Sequence, residues 1–412
     1  MRILQISHRH HVAGGSDTVF MATCKLLRDA GHEVIPFCLD HPENLPSRWS
    51  GYFPKGADTA TAPLQHVFRY FFNSEARAKL EQLLDDVGPV DVAHLHIYHG
   101  KHTPSILRIL RRHQIPVVHS LHEYKLACPT YTMERDGEPC ELCVGGHVGH
   151  CLRHRCKDGS LLRSAVMAAE MLSSRLLGDV RLVDRFLCVS EFQRQVMKRA
   201  GLPVQKLATL HNFLEVPETM PQNGHRGYFL YFGRIEKLKG LRTLLDAFDG
   251  APHRLIIAGD GSWCDEMVAC IRSAPNIEYR GFQSGRALTE LIAGARAVIV
   301  PSLWYENCPM SVLEAKAQGR PVLGADIGGI PELIHDGRDG YLFSPGSPQS
   351  LRDALKKLGS SDHAAFARAA WLDARERFSA ANYLANLTRH YDTLCQTPAP
   401  VGLHLHEGAM TH

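Results

Sequence analysis

Two glutamates eight residues apart, Glu306 and Glu314, carry the chemistry in this sequence that is easiest to name. They stand in Pro301-Ser-Leu-Trp-Tyr-Glu-Asn-Cys-Pro-Met-Ser-Val-Leu-Glu-Ala315, where an apolar strand gives way to a helix. The first carboxylate then falls in a loop and the second inside the helix. Pro309 suits a first helical turn, because the N–H it lacks would have no partner there, and the free amides of Met310 and Ser311 would face an anion. A carboxylate one turn further in can accept hydrogen bonds from two neighbouring hydroxyls, as on a ribose. Upstream, Gly233-Arg234-Ile-Glu-Lys-Leu-Lys239-Gly240 also follows a strand. Arginine offers a fixed fork of donors and lysine a compact charge, a pairing suited to a pyrophosphate leaving group. Such a pair stabilises developing negative charge without a metal. The sequence has no Asp-x-Asp pair to hold a divalent cation, so no catalytic metal is expected. Plainer readings stay open at this point. The glutamates suit a solvated helix face, Arg234 a surface ion pair with Glu236, and His94, His96 and His122 hydrogen-bonded places in a core.

The cysteines pose a separate question. Twelve in a small secreted chain would suggest disulfides, but a chain of 412 residues whose first segment, Met1-Arg-Ile-Leu-Gln-Ile-Ser, lacks a long apolar run points to a reducing compartment. The protein is therefore expected to be cytoplasmic. Cys140-Glu-Leu-Cys143 and Cys151-Leu-Arg-His-Arg-Cys156 form two close pairs, with Cys128 before them. Thiolate tetrads at such spacing suit tetrahedral zinc, which ties down a loop too polar to fold by burial. Structural zinc on Cys140, Cys143, Cys151 and Cys156 is the leading reading. Free thiols, disulfides and an iron–sulfur cluster are the others.

These residues need elements to hold them. Arg2 to Ser7, His32 to Leu39, Asp91 to Ile97, Pro116 to Leu121 and Phe186 to Ser190 read as strands, with helical periodicity over Ser16–Ala30, Thr103–His113 and Glu191–Ala200. Alternation stops between Val216 and Gly227, a stretch rich in breakers. It restarts with Tyr228–Gly233, Arg254–Gly259, Asn276–Gly281, Ala297–Ser302 and Pro321–Ala325. That predicts an α/β chain of two Rossmann-like domains, 1–215 and 227–378, with a cysteine-rich insert at about 128–156. A helix over 379–395 is placed to return to the first domain, and a disordered tail is expected over 396–412. Two such halves hold a ligand between them, at the carboxyl ends of the strands. A formal charge of +3 on 46 basic and 43 acidic residues argues against a nucleic-acid partner. Basic residues outnumber acidic ones between Lys101 and Arg199, which suits either a solvated surface or contact with an anionic membrane. Leu161 to Leu177 is amphipathic.

Taken together, Gly14-Gly15, Gly233-Arg234 with Lys239-Gly240, the spacing of Glu306 and Glu314, and Gly328-Gly329 before Glu332 resemble the retaining glycosyltransferases of family 4. The resemblance runs from Arg2 to about Tyr391. It implies the GT-B fold and transfer of a sugar from a nucleotide-diphosphate donor with retention of configuration, by same-face attack in which the leaving phosphate takes the acceptor proton. It implies that Arg234 and Lys239 bind the donor diphosphate, that Glu314 holds the ribose and that Glu306 contacts the transferred sugar. Gly14 and Gly15 would lie against the phosphates and acceptor, and His122 would meet the sugar. Asn307-Cys308-Pro309-Met310 departs from the family, where an aromatic residue and a glycine are more usual.

The expected function is therefore hexosyl transfer from a UDP- or GDP-sugar to a glycan or lipid-linked acceptor, in bacterial exopolysaccharide or lipopolysaccharide synthesis. A nucleotide-sugar epimerase of the same fold and a non-catalytic sugar-binding protein are the alternatives. Only an epimerase would convert donor alone.

Overall fold

The computed structural model describes residues 1–56, 68–221 and 224–396. Its strands, in chain order, are β1 (Arg2–Ile6), β2 (Glu33–Phe37), β3 (Val92–Leu95), β4 (Val117–Leu121), β5 (Glu134–Arg135), β6 (Glu138–Pro139), β7 (Arg185–Cys188) and β8 (Leu207–Thr209). They continue with β9 (Tyr228–Phe232), β10 (Arg254–Ala258), β11 (Ile277–Tyr279), β12 (Ala297–Val300), β13 (Val322–Ala325) and β14 (Gly340–Phe343). Strands β3, β4, β9, β12 and β13 are buried from end to end, the pattern of strands covered by helices on both faces.

Two six-stranded sheets result, in the orders β2-β1-β3-β4-β7-β8 and β11-β10-β9-β12-β13-β14, and every pairing within them is parallel. This is the arrangement of two Rossmann-like domains. Ile3 pairs with Val34 on one side and Val92 on the other, so β1 is the strand at which the first sheet reverses its winding. β9 plays that part in the second sheet, between β10 and β12. Crevices open at the carboxyl ends of such strands, and the loops after β1, β4, β9 and β12 carry the chemistry singled out above.

The final helix, Ala380–Gln396, packs against the first sheet's layer. Phe213 and Tyr383 stack at 4.1 Å, and Leu387 and Tyr391 are buried in one cluster with Ile3, Val19 and Phe20. The tail expected to be disordered lies, from residue 397 onward, outside the described residues. No described helix is long and apolar enough to cross a membrane.

Several elements differ from the sequence reading for identifiable reasons. The helix expected from Thr103 starts at Ser105, because Thr103 has a φ of 65°. The edge strands β8 and β14 lack a long apolar run, since each is covered on part of its length only, and neither was expected. The insert contributes a two-residue antiparallel hairpin, β5–β6, and a short helix, Gly149–Arg153.

Candidate active site

A cleft of about 920 Å³ lies between the two sheets. Gly14, Gly15 and His122 line it from the first domain. Gly233, Arg234, Lys239, Glu306, Pro309, Met310, Ser311 and Glu314 line it from the second. Two helices begin at this cleft. Gly14 caps Gly15–Asp29 with an extended backbone, and Pro309 caps Met310–Ala317. Their first amides have no partner within the helix, so two positive dipole ends face one space. Gly15 has no neighbouring atom within 4 Å of the place its Cβ would occupy, so the chain's own packing does not require glycine there. The room in front of the loop is open to a ligand.

The second domain holds its charges by a short circuit of contacts. Lys239 Nζ lies 2.6 Å from Glu306 Oε1, and Ser302 Oγ donates to the same oxygen at 2.7 Å. Burial pushes the Glu306 carboxyl up, but the Lys239 charge and hydrogen bond outweigh it, and the group sits below its ordinary range. Glu306 is therefore an ionised carboxylate that holds Lys239 in the cleft. Arg234 does pair with Glu236, at 2.8 Å, yet its side chain remains 59% exposed and turned to the cleft with Lys239. Trp304 supplies the floor for both cations: its ring centre is 4.9 Å from Lys239 Nζ and 5.7 Å from the Arg234 guanidinium carbon. Glu314 differs from Glu306 in that, among the described residues, no cation stands beside it. Burial alone raises its carboxyl to about 7.

Close backbone approaches fix these loops. A Cβ on Gly240, whose φ is 72°, would stand 1.8 Å from the carbonyl oxygen of Pro301, so only glycine lets the Lys239 turn abut the end of β12. Gly329 would likewise meet Asn307 O at 1.9 Å, and its amide donates to Glu306 O at 2.7 Å. The helix that carries Glu314 is anchored beneath by Lys316, a fully buried ammonium that donates to Leu333 O at 2.7 Å and pairs with Asp339 at 3.0 Å and with Asp373.

The two domains are also joined across the cleft. Glu332 accepts the first amides of the helix Glu191–Arg199, from Glu191 and Phe192. Asn307 Nδ2 donates to His122 O at 3.0 Å, and Asn212 Nδ2 to Cys308 O at 3.1 Å. The sequence reading missed Trp304, Asn212 and the exposed Phe282 as cleft residues. Trp304 stands two positions before Glu306, and an aromatic beside paired cations was the available signal.

The cysteines gather, but not as the expected tetrad alone. Burial first, and then the neighbouring cysteines including Cys128, raises the thiols of Cys143 and Cys151 to about 12 and that of Cys156 above its ordinary value, so Cys128 belongs with the four in the insert. Cys143 and Cys151 are buried, while Cys140 and Cys156 are half-buried. Among the described residues, the groups whose ligand atoms all come within 4.8 Å are His11–His41–Glu43 and His335–Asp339–Asp373, neither of which contains a cysteine. In the second group Lys316 stands among the carboxylates.

Residues 13–216 match the family described as Glycosyltransferase Family 4, and residues 226–361 match Glycosyl transferases group 1. Among relatives, the lipopolysaccharide 1,6-galactosyltransferase of Salmonella typhimurium is 29% identical over 195 residues, 43% of this chain and 53% of that protein. The sulfoquinovosyl transferase SQD2 of Arabidopsis thaliana is 31% identical over 263 residues, 61% of this chain and 46% of that protein. The chain thus spans about half the length of these relatives. The Anabaena protein HepE, solved in complex with UDP, superposes with a TM-score of 0.66 at 17% identity, covering 95% of this chain and 100% of that one, a likeness of fold.

Proposed function

The chain belongs to glycosyltransferase family 4 and has the GT-B fold, and from that premise we propose that it transfers a hexosyl group, with retention, from a UDP- or GDP-sugar to a growing glycan or glycolipid. The observation that carries the proposal is the convergence of two helix N-termini, Lys239 and Arg234 on one cleft, with the unpaired carboxylate Glu314 beside them. Charges so arranged fit a diphosphate and its ribose. In this reading the acceptor oxygen bonds to the anomeric carbon on the face from which the diphosphate oxygen departs, and the acceptor proton passes to that oxygen. Lys239 and Arg234 stabilise the charge that remains. In this reading Glu306 holds Lys239 in place and also contacts the transferred sugar. The names of the Salmonella relative and of others that act on lipopolysaccharide or O-antigen favour a bacterial surface polysaccharide as product.

Binding of a panel of UDP-, GDP- and ADP-sugars, followed by product analysis with and without acceptor, tests the proposal. Saturable binding of one donor class and no isomerised donor in the absence of acceptor are expected. Conversion of donor alone to its epimer would replace transfer with epimerisation.

We also propose that the insert binds a structural metal through Cys140, Cys143, Cys151 and Cys156, with Cys128 adjacent. The chemistry of the set and the scarcity of apolar core there, where Cys143, Cys151 and Ala168 are the buried members of their cluster, favour it. The sulfurs must draw together to close the shell. Stoichiometric zinc in purified protein, lost in Cys140→Ser/Cys143→Ser, is expected, and metal-free protein of unchanged stability would end the idea.

A further inference from the structure

Behind the cleft, the first domain carries polar side chains on strands that are otherwise apolar. Gln5 on β1, His94 on β3, His96 just after β3 and Ser120 on β4 are all buried. They form one hydrogen-bonded chain that ends at His122. Gln5 Oε1 lies 3.1 Å from His96 Nε2, His96 Nδ1 lies 2.8 Å from His122 Nε2, and the two imidazoles stack at 5.1 Å. On the far side, Tyr391 Oη lies 2.6 Å from His94 Nδ1 and 3.4 Å from Gln5 Nε2, and His94 Nε2 lies 2.8 Å from Ser120 Oγ.

Donor and acceptor roles along this chain constrain one another. A carboxamide oxygen only accepts, so His96 must carry its proton on Nε2, toward Gln5. His96 Nδ1 is then a lone pair, and His122 must donate to it from Nε2. His122 Nδ1 is left as the ring nitrogen available to a ligand, and it can only accept. With the amide so placed, Gln5 Nε2 donates to Tyr391 Oη, and Tyr391 in turn can give its O–H to His94 Nδ1, whose Nε2 then donates to Ser120 Oγ. Burial holds His122 far below its ordinary range, at about 4, and His94 at about 3, so both rings are neutral near pH 7.

We propose that Gln5, acting through His96 and oriented by Tyr391 of the final helix, sets the tautomer of His122, so that this histidine recognises a hydroxyl of the bound sugar and turns away phosphate oxygens. The inference rests on the reading of the cleft as a sugar-donor site. A phosphate ester offers only acceptor oxygens at neutral pH and finds no partner at an imidazole lone pair, whereas a sugar hydroxyl donates to it. Gln5, His96 and Tyr391 are positioning residues, and His122 is the group that touches ligand. Tyr391 gives the final helix a task beyond packing, since it reaches the site through side chains alone.

Long-range ¹⁵N–¹H spectra of the full-length protein labelled in histidine, with His122→Phe used for assignment, read the tautomer directly. A protonated Nε2 and bare Nδ1 on both His96 and His122 are expected. A proton on His122 Nδ1 overturns the proposal. Gln5→Met should mix the tautomers of His122 and lower kcat/KM for the donor about tenfold, the worth of one neutral hydrogen bond. An unchanged His122 tautomer in that variant overturns the role given to Gln5. If the wild-type tautomer is as stated but no UDP- or GDP-sugar shifts the His122 Nδ1 signal, the reading of the cleft fails and the tautomer assignment stands.

Discussion

Glu314 and Glu306 separate the two ways a buried carboxylate can be kept. Glu306 is paired and ionised, whereas Glu314 faces the cleft with its carboxyl raised to about 7 by burial. In the unliganded protein the folded state therefore binds more protons at Glu314 than the unfolded chain between its ordinary value and about 7. Its contribution to stability is present at low pH and falls as pH rises through that window. Ribose hydroxyls donating to the carboxylate favour the ionised form, so donor binding should release a proton. Affinity for a UDP-sugar, whose diphosphate does not titrate near neutrality, is expected to rise between pH 6 and 8, by at most about tenfold per unit, and to level off above. Calorimetry across that range checks it, and the slope should vanish in Glu314→Gln. At this scale the sequence was informative because the cleft residues stand at strand ends, in motifs short enough to read. The histidine chain was not legible, because its partners are distant: Gln5 meets His94 across 89 positions, and Tyr391 meets it across 297.

Among the elements, the helix Leu161–Leu176 shows most plainly what packing leaves over. Met167, Ala168, Glu170, Met171 and Ser174 are buried on one face, and Lys125 pairs with Glu170 there at 2.7 Å. On the opposite face Leu161, Leu162, Leu172 and Leu176 are exposed, Leu162 and Leu176 by 76% and 78%. Arg153, Arg155 and Arg163 are exposed near its start. An apolar stripe flanked by cations suits an anionic bilayer surface, where a lipid-linked acceptor would lie. Sedimentation with liposomes containing anionic lipid should carry the protein down, with less binding to zwitterionic liposomes and to Leu162→Glu/Leu176→Glu. Equal recovery with both lipids would show that charge takes no part. The sequence displayed this amphipathicity, but not which face the fold would consume. That depends on Lys125 and His99, which reach Glu170 from other parts of the chain. The strands of the two large sheets were legible by their apolar runs, except for the edge strands β8 and β14, which are too short and too partly covered to announce themselves.

The whole molecule is two parallel sheets that meet at their carboxyl edges, tied by Glu332 to the helix Glu191–Arg199 and by Asn307 to His122. The first domain brings a glycine loop and a neutral histidine, and the second brings cations held over Trp304. Both halves line the cleft, and the final helix makes the first domain depend on the end of the chain. The two-domain organisation could be read from the break in alternation after Val216. The ties across the cleft could not, because the motif Gly328-Gly329 before Glu332 does not say that this carboxylate caps a helix 140 positions away. The central claim is that Lys239 stabilises charge on a departing nucleotide diphosphate. Turnover of the donor selected from the panel, measured for Lys239→Ala against wild type at saturating acceptor, tests it most directly. A fall in kcat of ~10²-fold or more, in a variant that still binds nucleotide, is the predicted result. Turnover near that of the wild type would contradict the account.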